Sequence, residues 1–295
     1  DSISGLSAPE GWNPFTDADL LARQVDWLRA AGAAVDGSSL FAFVEATSSD
    51  LYVVPRLATS FLNPFSHIPT LDILCGFYDV DGKPLASAPQ EVLRKAQRAL
   101  KEETGCELQA LGELEYYLFS DEEDLFPVEP QRGYHESGPF SKWESVRTET
   151  LLHLVSMGCA VKYAHSEVGN FVSDGRQMVQ QEIEFLPVDA LDAADQMVLA
   201  KWVLREVAHS YGIHVSFSPK IAVGQAGSGM HFHTRLVKDG VNQFSTGSGL
   251  TETALKVIGV KQKEEAARWM AAAARAGGAA DTTFCMVRFG NVLGS

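Results

Sequence analysis

The chain has 295 residues, 45% of them hydrophobic, and a net charge of −14 at pH 7. This length and composition favour a globular protein of one large domain or two. The acidic balance argues against non-specific binding to nucleic acid or to an anionic membrane, since both need a basic face. No uninterrupted apolar run reaches the ~20 residues that cross a bilayer. The four cysteines lie far apart, which argues against a disulfide framework or structural zinc and favours a reducing cytoplasm.

The first part of the chain is predicted to contain one helix and several short strands. Apolar residues at helical spacing predict a helix over 18–31. Short β-like runs follow over 40–44, 51–55 and 71–77. A helix over 89–104 is predicted next, with Pro89 in its first turn and Gly105 after its end. This helix is the predicted entry to a second domain.

The second part of the chain alternates strands and helices. Strands are predicted over 108–119, 179–185, 214–218 and 230–237, and helices over 143–157 and 190–211. Asp189 is the predicted N-cap of the last helix, and Gly212 ends it. The pair Asp239-Gly240 predicts a two-residue hairpin turn. Most of the residues that suggest chemistry lie on these strands, in the glycine-rich run before the last of them, or in the segment 165–168.

Two glutamates, Glu113 and Glu115, lie two positions apart on a predicted strand. The period of two puts both on one face with Cα atoms about 7 Å apart. Leu114, Tyr116 and Leu118 then fill the opposite, apolar face. Neighbouring carboxylates on a half-buried strand repel each other, so they need a cation or solvent. From periodicity alone, a metal site and a solvated strand edge both remain open.

His231 and His233 also share one strand face, and they follow the glycine-rich run 227–229. Glycine allows close approach of the backbone to a ligand, but the run is no Walker loop because no Gly-Lys-Ser/Thr follows it. A histidine pair by itself is more often a surface feature than a ligand. Upstream lie four glutamates, Glu113, Glu115, Glu167 and Glu182. Carboxylates with one histidine suit Mg²⁺ or Mn²⁺ rather than zinc or copper.

Segments in this order resemble the glutamine synthetase family. Pieces similar to the family's N-terminal β-grasp domain lie at 36–40, 49–51 and 63–65. Pieces similar to its catalytic domain lie at 112–119, 158–168, 181–185, 192–195, 219–220, 227–233 and 238–240. The resemblance covers residues 33–255, and the number and order of these motifs argue against chance.

The resemblance implies an α+β fold in two domains. A partial β-grasp domain over 1–86 would precede a catalytic domain over 87–260, with a curved antiparallel sheet and flanking helices. The family's later arginines and a further glutamate for the second metal are missing, so this domain reads as C-terminally truncated. The run 283–295 resembles a piece of a nucleotide-sugar dehydratase or epimerase. A divergent, possibly fused tail is therefore expected over 261–295, and a poorly packed hydrophobic tail remains the alternative.

The resemblance also implies a set of metal ligands. Glu115, Glu167 and Glu182 would hold the first ion, and Glu182 would count among the catalytic residues. Glu113 and His231 would hold the second ion, which bridges the nucleotide phosphates.

Other roles are implied outside the metal ligands. Gly227 matches a backbone contact to glutamate, and His233 matches a residue on the nucleotide side. Asp36 matches an aspartate that reaches a neighbouring subunit's site and deprotonates ammonium. Two departures from the family stand out: the interval 169–175 is longer than usual, and Ala226 replaces a frequent asparagine, so an amide contact to substrate is expected to be absent.

The function implied is an ATP-dependent ligase that forms glutamine from glutamate and ammonia through a γ-glutamyl phosphate. Its cofactors would be ATP and two Mg²⁺ or Mn²⁺ ions, and it would act as a homo-oligomer in the cytoplasm. Three alternatives remain open. The chain could join glutamate to another amine, or be a truncated and inactive relative that binds metal or forms oligomers. A sugar-nucleotide oxidoreductase rests on the tail alone, and the chain contains no GxGxxG loop.

Overall fold

The structure is a computed structural model that describes residues 33–40, 50–246 and 249–259. The predicted helix over 18–31, most of the predicted strand over 40–44 and the C-terminal tail over 261–295 lie outside these residues. Among the described helices, none is long and apolar enough to span a membrane.

The chain divides into two compact units, and the first contains the described residues up to Ala96 together with Leu152–Cys159. Its main sheet is β-grasp-like and antiparallel, in the order β1-β2-β5. The strands are β1 (Ala33–Asp36), β2 (Asp50–Pro55) and β5 (Cys75–Tyr78), and a separate pair is formed by β3 (Phe61–Leu62) and β4 (Leu71–Asp72). The predicted domain boundary at residue 86 stays a prediction.

Two predictions for this unit are wrong in detail. Leu40 ends a short helix, α1 (Gly37–Leu40), rather than starting a strand. The helix forms because the Asp36 carboxylate accepts hydrogen bonds from the Ser38 backbone N–H and the Ser39 hydroxyl. The single predicted strand over 71–77 is two strands with different partners, since β4 pairs with β3 and β5 pairs with β2. Leu74, between them, bonds instead to Arg56 and Thr59.

The second unit contains Gln97–Leu151 and the described residues from Ala160 onward. Its strands are β6 (Glu107–Asp121), β7 (Val161–Ser173), β8 (Arg176–Phe185), β9 (Val188–Asp189), β10 (His214–Ser216), β11 (Met230–Lys238) and β12 (Val241–Asn242). Its helices are α4 (Ala190–Ser210) and α5 (Glu252–Gly259), while α2 (Pro89–Thr104) and α3 (Glu144–Ser156) contribute residues to both units.

A curled antiparallel sheet in the order β12-β11-β6-β8-β7 forms the body of this unit. The central strand β6 has 15 residues and pairs along different stretches with β8, β9, β10 and β11. Its alternation is as predicted, since Leu114, Tyr116 and Leu118 are buried. Helix α4 packs against β6 and buries Val203 and Leu204. The α+β fold with a curved antiparallel sheet is therefore confirmed.

Local sequence signals set the ends of several elements. The Asp189 carboxylate accepts a hydrogen bond from the Leu191 N–H at 2.9 Å and caps α4 as predicted. Asp239 and Gly240 both have positive φ, 52° and 76°, in the tight turn between β11 and β12. The long interval 169–175 extends the β7–β8 hairpin, which closes through Asp174 and Gly175 with φ of 52° and 71°. That this interval is longer than in the family stays a prediction.

Replacing Gly169 in β7 by alanine should destabilise the fold. An added Cβ would overlap the Tyr117 hydroxyl and lie 2.5 Å from Gln180 Oε1. Forcing a methyl group into a packed site costs about 1–3 kcal/mol, so the midpoint of urea denaturation should fall. Gly249→Ala is the control, because nothing lies within 4 Å of its added Cβ. Equal midpoints for the two variants would contradict this packing.

Candidate metal centre

Strand register brings four of the predicted ligands to one face of the sheet. Glu113 on β6 lies opposite His231 on β11, and Glu115 lies opposite Glu182 on β8. Residues directly opposite each other in antiparallel strands point to the same face, with Cβ atoms about 4.5–5.5 Å apart. The shared face of Glu113 and Glu115 therefore continues onto both neighbouring strands.

The histidines of β11 contact the glutamates of β6. His231 Nδ1 lies 3.3 Å from Glu113 Oε2 and 3.8 Å from Glu115 Oε1, and His233 Nε2 lies 2.9 Å from Glu113 Oε1. One ligand atom from each of Glu113, Glu182 and His231 lies within 4.8 Å of the others. These three residues can hold a metal ion together.

A second group of potential ligands shares Glu182 with the first. His165, Glu167 and Glu182 each offer a ligand atom, and these atoms lie within 4.8 Å of one another. All five predicted ligands thus lie in one connected cluster. His165 was not predicted from the sequence, although it lies opposite Glu182 in the β7–β8 pairing.

The Glu167 segment is an irregular part of β7, where the register shifts between Ser166 and Asn170. A preceding segment runs beside it: the backbone N–H groups of residues 131, 133 and 135 donate to the carbonyls of residues 170, 168 and 166. Gly133 is required there because an added Cβ would lie 2.5 Å from the Glu167 carbonyl oxygen. The segment therefore supplies hydrogen-bond donors to β7 carbonyls in and beside the irregular stretch.

Gln180 connects the glutamates to the glycine-rich run and was also missed from the sequence. Its side-chain Nε2 donates to Glu115 Oε2 at 2.8 Å and to the Gly227 carbonyl at 2.9 Å. Its Oε1 accepts from the Gly169 N–H at 3.0 Å. The Glu115 backbone N–H donates to the Gly229 carbonyl at 3.1 Å. Glu115 is thus held through both its side chain and its backbone.

The glycines before His231 are needed for close approach, as the sequence suggested. An added Cβ at Gly229 would lie 2.5 Å from His231 Nε2 and 2.9 Å from Glu115 Oε1. An added Cβ at Gly227 would lie 2.6 Å from the Pro219 carbonyl oxygen. Residues with side chains at these two positions would clash with the centre or with its supporting loop.

Ala226, at the position where the resemblance led us to expect an asparagine, is fixed through its backbone. Its N–H donates to Gln131 Oε1 at 3.0 Å, and its carbonyl accepts from the Tyr117 hydroxyl at 2.9 Å. Burial, with the charges of Glu115 and Glu167, raises the pKa of Tyr117 to about 12. The hydroxyl therefore keeps its proton and remains a donor at neutral pH.

The carboxylates are held in an unfavourable electrostatic setting. Burial raises the pKa of Glu115 and of Glu167, and the charge of Glu182 raises both further. Within the described residues, the basic side chains with a nitrogen within 4.0 Å of the Glu113, Glu115, Glu167 or Glu182 carboxylates are all histidines. A bound divalent cation would relieve this repulsion.

Glu184, two residues after Glu182, has a different environment. Burial alone would raise its pKa, but hydrogen bonds from Lys162 and Tyr163 outweigh burial and lower the pKa. Lys162 Nζ lies 2.8 Å from Glu184 Oε2. This carboxylate therefore already has a positive partner and belongs to the margin of the centre.

Asp36, the predicted base, lies at the end of β1 in the first unit, whereas the glutamates and His231 lie in the second unit. Its side chain is exposed and bonds to the hydroxyls of Ser38 and Ser39, each at 2.7 Å. Its predicted role remains a prediction.

Comparisons with known proteins agree with the architecture. Residues 86–274 match the family described as glutamine synthetase, catalytic domain. The chain is 34% identical over 239 residues to glutamine synthetase of Thermus thermophilus, and 32% identical over 231 residues to that of Clostridium saccharobutylicum. The chain therefore belongs to the glutamine synthetase family.

These matches cover 76% of this chain, but 51% and 50% of the two relatives. The chain thus spans about half the length of the curated relatives it matches. The fold also matches a cryo-EM structure of Plasmodium falciparum glutamine synthetase, with a TM-score of 0.67 and 21% identity over 76% of this chain and 49% of that one. The expected family is confirmed, while the resemblance of the tail stays a prediction.

Replacing Gln180 by leucine should weaken Mn²⁺ binding as well as the fold. The change leaves the buried Gly169 N–H unpaired, which costs about 1–3 kcal/mol, and frees the Glu115 carboxylate. Losing such an outer partner of a metal ligand typically weakens metal affinity about 10–100-fold. The measurements are urea denaturation and titration of Mn²⁺ followed by electron paramagnetic resonance.

Gln177→Leu provides the matched control on the same strand. Gln177 is also fully buried, and its Nε2 donates to Ser120 Oγ at 2.9 Å, away from the glutamates. This variant should lose stability but keep its Mn²⁺ affinity. Equal losses of affinity in both variants would mean that Gln180 acts only through general stability.

Proposed function

We propose that this chain is part of an ATP-dependent ligase that forms glutamine from glutamate and ammonium through a γ-glutamyl phosphate. The observation that supports this proposal is the gathering of Glu113, Glu115, Glu167, Glu182 and His231 on adjoining strands. The chain's membership of the glutamine synthetase family supports the same reaction. A cytoplasmic location is part of the proposal, and the three described cysteines are unpaired thiols.

The donor set fits two hard divalent ions. In the proposed arrangement, Glu115, Glu167 and Glu182 hold the first ion, while Glu113 and His231 hold the second. Carboxylates with an imidazole suit Mn²⁺ and also accept Mg²⁺. Bound there, the ions would neutralise the charge that develops when a phosphoryl group is transferred to a carboxylate.

The chain's own residues would orient the substrates around these ligands. Gln180 and the Gly229 carbonyl fix Glu115, so this carboxylate is pre-positioned before any ion binds. The backbone of Gly227 would bind glutamate, and His233, half exposed at the edge of the cluster, would contact the nucleotide. Fixed donors of this kind reduce the reorganisation that the reaction requires.

Asp36 would act in the site of a neighbouring copy within a homo-oligomer. A carboxylate beside ammonium favours binding of the cation and can then accept its proton, which leaves ammonia as the nucleophile. Exposure of Asp36 is consistent with a role at a second chain.

Three assays test the proposal together: Mn²⁺ binding, glutamate-dependent release of ADP, and formation of glutamine. Glu182→Gln removes a charge from the residue shared by both ligand groups and should lower turnover by about 10²–10³-fold. Glu129→Gln, on an exposed loop and paired with Arg132, is the control and should keep full activity. Glutamine formation that survives Glu182→Gln would contradict the proposed centre.

The same assays separate the open alternatives. The metal ligands serve the phosphate side of the reaction and do not select the amine, so ammonium should be compared with methylammonium and ethylammonium. Turnover with an alkylamine alone would indicate a ligase for another amine. Tight Mn²⁺ binding with no turnover on any amine would favour an inactive relative.

Complementation tests the role of Asp36. Asp36→Ala and Glu115→Ala chains should each be inactive, since one lacks the base and the other a metal ligand. Mixing them should restore part of the activity, because an intact site can form between an Asp36 from one copy and a Glu115 from the other. Full activity in a species that light scattering shows to be monomeric would contradict a shared site.

A further inference from the structure

We propose that His165 is a nitrogen ligand of the first metal position, in addition to its glutamates, and that it favours Mn²⁺ over Mg²⁺ there. The inference rests on the proposed function, because it concerns an ion bound at that centre. The resemblance to the family assigned only carboxylates to this position, so an imidazole would change its chemistry.

The distances around His165 suit coordination. His165 on β7 lies opposite Glu182 on β8, with Nε2 at 3.2 Å from Glu182 Oε2. One ring nitrogen of His165, one oxygen of Glu182 and one oxygen of Glu167 lie within 4.8 Å of one another, and Nδ1 is 4.0 Å from Glu167 Oε1. Adjacent donors of an octahedral ion with bonds of about 2.1 Å are about 3 Å apart. The 3.2 Å between His165 Nε2 and Glu182 Oε2 is close to this donor–donor distance.

The hydrogen bond of the other ring nitrogen indicates the tautomer. His165 Nδ1 lies 3.0 Å from the Ser166 carbonyl oxygen, which can only accept, so Nδ1 carries the proton. In the neutral ring, Nε2 then carries a lone pair, and this atom faces Glu182. Metal-binding histidines commonly bond a backbone carbonyl through the second nitrogen in this way.

The ring is also held in place before any ion binds. His165 is 7% exposed, and its ring stacks on His135 at a centroid distance of 4.3 Å and an interplanar angle of 18°. Tyr163 stacks on it at 5.4 Å, and Tyr134 meets it edge-on at 5.5 Å. An ordered imidazole loses little side-chain entropy when it coordinates a metal.

The competing account is an imidazolium that pairs with Glu182 and binds no metal. A lone pair on Nε2 facing a carboxylate at 3.2 Å is repulsive, so either a proton or a cation must lie between them. A proton would neutralise one charge among four clustered glutamates, whereas a divalent ion neutralises two and can contact Glu167 as well. The two accounts differ in whether bound Mn²⁺ contacts a nitrogen of this ring.

The preference for Mn²⁺ over Mg²⁺ follows from the nitrogen donor of the imidazole. Mg²⁺ selects oxygen donors and retains its water, whereas imidazole suits borderline transition ions. An imidazole beside Glu167 and Glu182 would therefore raise the affinity for Mn²⁺ more than that for Mg²⁺.

The experiment detects ¹⁴N coupling to bound Mn²⁺ by electron spin-echo envelope modulation. The measurement uses the double variant His231→Ala/His233→Ala. This variant lacks the two partly exposed histidines of β11 and keeps His165. Coupling from an imidazole should persist in this background. It should disappear when His165→Gln is added, and competition should then show Mn²⁺ affinity reduced roughly 10–100-fold with a smaller change for Mg²⁺.

His135→Phe in the same background is the matched control. It keeps a ring stacked on His165 but removes the neighbouring imidazole, so the coupling should remain. Bound Mn²⁺ without nitrogen coupling in the His231/His233 background would overturn the role of His165 while leaving the proposed ligase intact. Loss of coupling in His135→Phe with His165 present would also overturn it. Failure of the unaltered chain to bind Mn²⁺ would overturn both proposals.

Discussion

The register between β6 and its two neighbours is the constraint on which the candidate site depends. Glu115 faces Glu182 across one ladder, and Glu113 faces His231 across the other. A slip of one residue in either ladder would turn a whole set of side chains to the opposite face of the sheet. The buried apolar residues of β6 prevent such a slip, because it would expose Leu114, Tyr116 and Leu118 to solvent. Core packing on one face thus sets the positions of the carboxylates on the other.

The clustered glutamates that could bind metal also destabilise the sheet that carries them. Burial raises the pKa of Glu115 and Glu167, which shows that their charged forms are disfavoured in the folded chain without an ion. Gln180 and the Gly229 carbonyl hold Glu115 in place against this repulsion. A cation that binds only the folded state would add stability that grows with the logarithm of its concentration over its dissociation constant. Metal affinity and fold stability are therefore linked through the same glutamates.

Local patterns predicted the strands and helices that follow simple rules. The alternation in β6, the N-cap Asp189 and the Asp239-Gly240 turn each depend on neighbours in sequence. Strand β7 was harder, because its irregularity between Ser166 and Asn170 interrupts the alternation that identifies a strand. The importance of His165 comes from Glu182, which lies opposite it on β8. The sequence around His165 therefore did not mark it as a ligand. Gln180 was missed because a glutamine in a strand carries no signal until its three partners, distant in sequence, are known.

Differences in exposure separate the two proposed metal positions. The side chains of His165 and Glu182 are 8% and 9% exposed, whereas those of His231 and His233 are 36% and 48% exposed. An ion surrounded by buried donors exchanges its ligands little, while an ion beside exposed donors keeps room for water or substrate. The position near β7 is therefore suited to a permanent ion that orders the site. If the proposed function holds, the position near β11 would suit an ion that arrives with the nucleotide, because phosphate oxygens would complete the coordination sphere that Glu113 and His231 leave open.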